Sequence, residues 1–198
     1  MVGFEYPTQP HTRRHGPAGY KDYESFRDWL HDEFTFRCVY CLHREQWYGR
    51  DAAFHIDHFN PVALNTVGEC EYLNLIYACA ACNEAKKAVV IPDPCKVAFE
   101  DCLRIMPDGH VKPLNDHGKK LEQVLRLNSP QNLQYRSRLM QTLKTLKAHN
   151  MALYVDYMRF PDNLPDLRKK HVPSNTKPEG VENCYFALRE RHELPHTY

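Results

Sequence analysis

The chain alternates between two hydrophobic periods. Tyr23, Phe26, Trp29 and Leu30 recur at spacings of three and four, which predicts a helix over about residues 22–33. Phe54-His55-Ile56-Asp57-His58-Phe59 alternates apolar with polar and predicts a short strand that turns at Pro61. The apolar run Tyr72 to Ala78 follows, and a helix is expected to begin near Cys82-Asn83-Glu84. Cys102 to Met106 and His110 to Leu114 flank Pro107-Asp108-Gly109, the pattern of a hairpin. Helices are expected over about 117–126 and 131–158, the second carrying a stripe of Leu139, Leu143, Leu146 and Met151 and ended by Pro161 and Pro165. A short helix near 181–190 completes the reading. The first twenty residues, rich in Pro, Gly and His, read as an irregular arm.

These elements predict an α+β chain in three stretches. Residues 1–33 form an arm and helix, 34–92 a small mixed module, and 93–198 a hairpin followed by a predominantly helical extension. The length of 198 residues suits one ordinary domain or a small module with an extension. No run approaches the length needed to cross a bilayer, and the first residues lack the basic start and apolar core of a secretory signal, so a cytoplasmic location is expected.

A reducing compartment changes the meaning of the eight cysteines, because disulfides rarely persist there and metal binding becomes the better reading. Cys38-Val-Tyr-Cys41 and Cys79-Ala-Ala-Cys82 are two C-x-x-C knuckles. Two residues between thiolates let both sulfurs reach one Zn²⁺, and two knuckles close a tetrahedral site, structural rather than catalytic. Ordinary buried thiols are the plain alternative, but paired identical spacings argue against it. Cys70, Cys95, Cys102 and Cys184 lack paired spacing and read as core or surface residues.

Between the knuckles lie 37 residues, where a simple zinc ribbon has roughly 15–20. The ordered set C-x-x-C, Asp57-His58-x-x-Pro61, Asn74-Leu-x-x-x-Cys79-x-x-Cys82-Asn83-x-x-Lys86 resembles the HNH endonuclease superfamily, over residues 37–87. Its nearest pattern is the zinc-stapled, endonuclease VII-like branch, in which Asn replaces the last His, as Asn83 does here. The resemblance implies a ββα-metal fold and a DNA endonuclease leaving 5′-phosphate and 3′-hydroxyl ends. It implies His58 as general base, one Mg²⁺ or Mn²⁺ on Asp57 and Asn83, and Asn74 tying the hairpin loop. It also implies phosphate contacts from Lys86, and from Lys87 and Arg44. An amide oxygen at position 83 suits a hard cation. The C-terminal extension is similar to that of bacterial HNH proteins in anti-phage defence systems, which would bring an ATPase or other protein partner.

Read without the family, each residue has a plainer role. Asn74 could serve a turn, Asn83 a helix cap, His55 the solvent side of a strand, and Arg168-Lys169-Lys170 a solvated face. On a regular strand, Asp57 and His58 would face opposite ways, so a shared centre calls for a bend or bulge. Charge adds a reservation: residues 34–90 carry five basic and six acidic side chains, whereas 111–170 carry twelve and five. Two other readings therefore stay open, a non-catalytic zinc-binding interaction module and an RNA-directed nuclease.

Overall fold

The computed structural model describes residues 3–47, 53–64 and 68–198. After a 3-10 turn at Tyr23–Phe26, helix α1 spans Arg27–Glu33. The alternating segment forms β2, Phe54–His58, antiparallel to β3, Leu75–Cys79, and α2, Ala80–Lys86, follows directly. Further on, β4 (Leu103–Ile105) and β5 (Val111–Pro113) make the expected hairpin, and α3 covers Asp116–Val124.

The long helix expected over 131–158 is two helices. α4 runs Pro130–His149 and α5 runs Met151–Met158. Asn150 stands between them in a non-helical conformation (φ −149°, ψ 79°), and its side chain accepts a hydrogen bond from the Leu153 amide. That residue is a good N-cap, and a cap outcompetes continuation of the helix. The apolar stripe is only partly used: Leu143 is buried, but Met151, beyond the break, is exposed. The inner face of α4 instead buries Arg136, whose guanidinium donates to the carbonyls of Gly109 and Leu127 and so ties the β4–β5 turn to the helix. The tail carries two short helices, α6 (Pro178–Glu182) and α7 (Tyr185–Glu190).

The arm is less irregular than its composition implies. β1 (Pro17–Ala18) pairs with β6 (Ser174–Asn175), joining the two ends of the chain. Phe4, Tyr6 and His15 are buried, and His15 Nε2 lies 2.8 Å from Asp32 Oδ1. Glu33 accepts from His11 Nε2, the amides of Arg14 and His15, and the Tyr72 hydroxyl. Burial pushes the Glu33 carboxyl up in pKa, yet the His11 and Arg14 hydrogen bonds overcome this and hold it at about 2. The two acids that end α1 thus fasten arm, helix and the segment before β3. One cluster of buried apolar side chains runs from Phe4 through Trp29, Tyr77 and Leu121 to Ala187, so all three stretches share a core. Among the described residues, no helix is long and apolar enough to cross a membrane.

His31, on α1, packs at a tilt against Tyr77 of β3, ring centres 4.6 Å apart. Burial lowers its pKa from 6.5 to about 4, with Asp28 opposing and Arg27 assisting. Because the unfolded chain binds the proton more readily, the neutral ring's contribution is whole above pH 6.5 and lost as pH falls towards 4. It is worth on the order of 3 kcal/mol at most. His31→Phe is expected to flatten the pH dependence of the urea midpoint across that window relative to the wild type. Acid release of a metal is common to both proteins and drops out of the difference.

Candidate active site and zinc clasp

Two tight turns build the first half of the site. Cys38 and Cys41 sit on a turn closed by Leu42 N donating to the Cys38 carbonyl, and Cys79 and Cys82 flank the start of α2. All four are buried, and their sulfurs lie within 4.8 Å of one another. The Cys41 and Cys79 sulfurs are 3.6 Å apart. Four thiolates at 2.3 Å from a zinc ion stand about 3.8 Å apart, so the set fits a Cys₄ zinc site. The Cys79 thiol is pulled far below its ordinary pKa by hydrogen bonds from Cys38, Cys41 and Cys82, while hydrogen bonding within the cluster pushes Cys41 and Cys82 up. Such crowding of ionisable sulfurs is relieved by a divalent cation.

The second half hangs on β2. Its register with β3 is regular through Asp57↔Ile76 and His58↔Leu75, so the bend anticipated between Asp57 and His58 is absent. The two side chains consequently meet different neighbours. Asp57 is buried; Tyr40 Oη donates to Oδ2 at 2.6 Å and Lys86 Nζ to Oδ1 at 2.9 Å. Tyr40 belongs to the first zinc knuckle and Lys86 ends α2, so clasp and helix both terminate on this carboxylate. Burial and then Asp57 raise the Tyr40 pKa well above the ordinary value, keeping the hydroxyl a donor.

His58 is half-buried on the other side. Its ring packs edgewise on Tyr23, and Nε2 lies 2.9 Å from the Glu69 carbonyl. A carbonyl only accepts, so the proton sits on Nε2 and the lone pair on Nδ1. Glu69 belongs to the loop between β2 and β3, and Asn74 spans that loop. Its Oδ1 accepts from the Asn60 amide, and its Nδ2 donates to the carbonyls of Asn60 and Gly68. Asn83, on the first turn of α2, places its amide 3.3 Å from His55 Nδ1.

Two expected phosphate contacts are corrected. Lys86 has a fully buried side chain committed to Asp57 and to the His58 carbonyl. Arg44 is also buried; it donates to the Met158 carbonyl and lies 3.9 Å from the centre of the Tyr198 ring. Neither can meet a phosphate where it stands. Lys87 is exposed and could.

The carboxylate and imidazole have separate partners, Tyr40 and Lys86 for one and the Glu69 carbonyl for the other. Among the described residues, the four cysteines are the only cluster of three or more His, Cys, Asp or Glu side chains able to hold a metal. At Asp57 the Lys86 ammonium holds Oδ1, so a divalent ion taking that oxygen would have to displace it. A cleft of about 1,100 Å³ lies elsewhere, lined by Trp47, Tyr135, Arg138, Tyr157 and Phe160, and contains none of these residues. Tyr40 is the neighbour of Asp57 that sequence reasoning missed, and Lys86, expected at a phosphate, is its other partner. A tyrosine inside a C-x-x-C knuckle and a lysine three residues after Asn83 are the signals that point to them.

Residues 38–88 match the family model of the HNH endonuclease. No curated protein matches the chain.

The clasp makes a direct prediction. Purified protein should carry one tightly held zinc per chain, and Cys79→Ser should lose it together with the cooperative thermal transition of the module. Elemental analysis paired with circular dichroism reads both, and an intact, zinc-free variant would refute the assignment.

Proposed function

We propose that the HNH domain over residues 38–88 hydrolyses phosphodiester bonds in nucleic acid, DNA before RNA, with His58 as the general base. The observation that carries this reading is the His58 imidazole, whose Nε2 is engaged by a loop carbonyl so that Nδ1 keeps its lone pair. A base fixed in one tautomer can take a proton from an attacking water without first reorienting. Asn74 is the positioning residue in this scheme: by bridging Asn60 and Gly68 it holds the loop that carries Glu69, and the loop holds the ring. Exposed Lys87 would meet a phosphate oxygen, and the net positive extension after residue 111 would grip the flanking backbone. A Mg²⁺ or Mn²⁺ ion on Asp57 and Asn83 would supply neutralisation of the phosphate and of the leaving 3′-oxygen. The products would carry 5′-phosphate and 3′-hydroxyl ends. A place in anti-phage defence, with an ATPase partner choosing the target, belongs to the same proposal and rests on the extension's similarity alone.

One observation favours a second reading. With Asp57 buried against Lys86, the module could serve as a zinc-stapled binding domain that does not cut. Cleavage of supercoiled plasmid, single-stranded DNA and tRNA in Mg²⁺ or Mn²⁺ separates the cases. His58→Ala is expected to slow cutting by about 100-fold or more while zinc stays bound. Equal cutting by that variant removes His58 as the base. No cutting of any substrate by the wild type, in either ion, favours the binding module.

A further inference from the structure

We propose that the Lys86 ammonium is a resident counter-ion occupying the divalent-cation seat at Asp57, so that ion and ammonium exclude one another. The proposal rests on the reading above in which Asp57 is an ion ligand, and it adds a residue that must leave.

The seat is built of the right atoms. Lys86 Nζ donates to Asp57 Oδ1 at 2.9 Å and to the His58 carbonyl at 3.0 Å. Its remaining side faces the Phe59 ring, whose centre is 5.8 Å away. One carboxylate oxygen and one backbone carbonyl are the ligand types that hard cations take. Here a single positive charge on a four-carbon stem holds them. Both side chains are almost wholly withdrawn from water, 0% exposed for Lys86 and 4% for Asp57. With Oδ2 already held by Tyr40, a second cation would have to crowd the ammonium at Oδ1, where their repulsion is poorly screened.

A route for release is present beside it. Lys86 is the last residue of α2, and Lys87 follows at φ +48°, ψ −129°, a region costly for any residue with a side chain. Relaxing Lys87 would unwind the end of α2 and carry Lys86 off the carboxylate. Tyr40, anchored in the zinc knuckle, would keep Oδ2 in place meanwhile. The exchange is then one charge for another around a carboxylate that does not move.

Removing the ammonium leaves a buried carboxylate without its partner, a costly state that any accessible cation relieves. The test is Mn²⁺ titration of the zinc-loaded full chain without nucleic acid, following free Mn²⁺ by electron paramagnetic resonance. Lys86→Met should bind Mn²⁺ about tenfold more tightly than wild type, or better, while Lys86→Arg should not. Equal Mn²⁺ affinity in wild type and Lys86→Met, lost in Asp57→Asn, would overturn the exclusion yet leave Asp57 an ion ligand. Absence of Mn²⁺ binding to both zinc-loaded proteins would remove the seat itself, and the proposal with it. Should Lys86→Met not fold, the wild type answers alone by nitrogen NMR of its lysine side chains. Mg²⁺ should abolish the protected ammonium signal of Lys86. Persistence of that signal while the Asn83 amide shifts would overturn the proposal.

Discussion

The arrangement of the module depends on one closure, the meeting of Cys38 and Cys41 with Cys79 and Cys82. It joins chain segments 38 residues apart and fixes both ends of everything threaded between them. A five-residue, two-stranded hairpin and a seven-residue helix are too small to be stable alone. Clasped at Cys79, which ends β3 and precedes α2, they share a corner. Tyr40, two residues after Cys38, then reaches Asp57 because the clasp has set the knuckle against β2. The cysteine cluster thus bears on Asp57 through the Tyr40 phenol as well as through α2 and Lys86.

A second constraint follows from the regular pairing of β2 with β3. Adjacent residues on an unbulged strand diverge, and Asp57 and His58 do. The strand separates two electrostatic environments: a buried anion compensated by Tyr40 and Lys86, and a half-exposed imidazole steered by a loop carbonyl. Each group would fare badly in the other's place. An uncompensated carboxylate could not remain charged in the core, and an imidazole paired with an ammonium would be poorly placed to accept a proton.

Much of this was legible in the residues, and the gaps have physical causes. The zinc ligands show in spacing because two residues between thiolates is a geometric requirement, one the buried quartet fits. The strands and most helices show in periodicity, since burial imposes it. The break at Asn150 does not, because the apolar pattern runs on through it and only capping chemistry stops the helix. The fates of Lys86 and Arg44 were hidden for a related reason. A cation three residues past Asn83, or beside the knuckle, reads as a phosphate contact until tertiary packing buries it against Asp57 or beneath Tyr198. The arm misled by composition: proline and glycine predicted irregularity, while His11 and His15 bind the acids that end α1.

The charge distribution now has a structural sense. The zinc module's slight acidic excess includes Asp57, Glu45 and Glu69, while Lys86 and Arg44, two of its five basic residues, are spent internally. Its outer surface is therefore even less suited to a polyanion than the residue count implies. A module so poor in surface cations would supply few of the phosphate contacts that dominate affinity for nucleic acid. On the proposed reading the rest would come from residues 111–170, which carry an excess of seven positive charges and are continuous with its core through Leu121 and Leu125. On the proposed reading, grip and chemistry would be divided between two parts of one packed body, and the carboxylate at the centre would stay neutralised until a substrate is held against it.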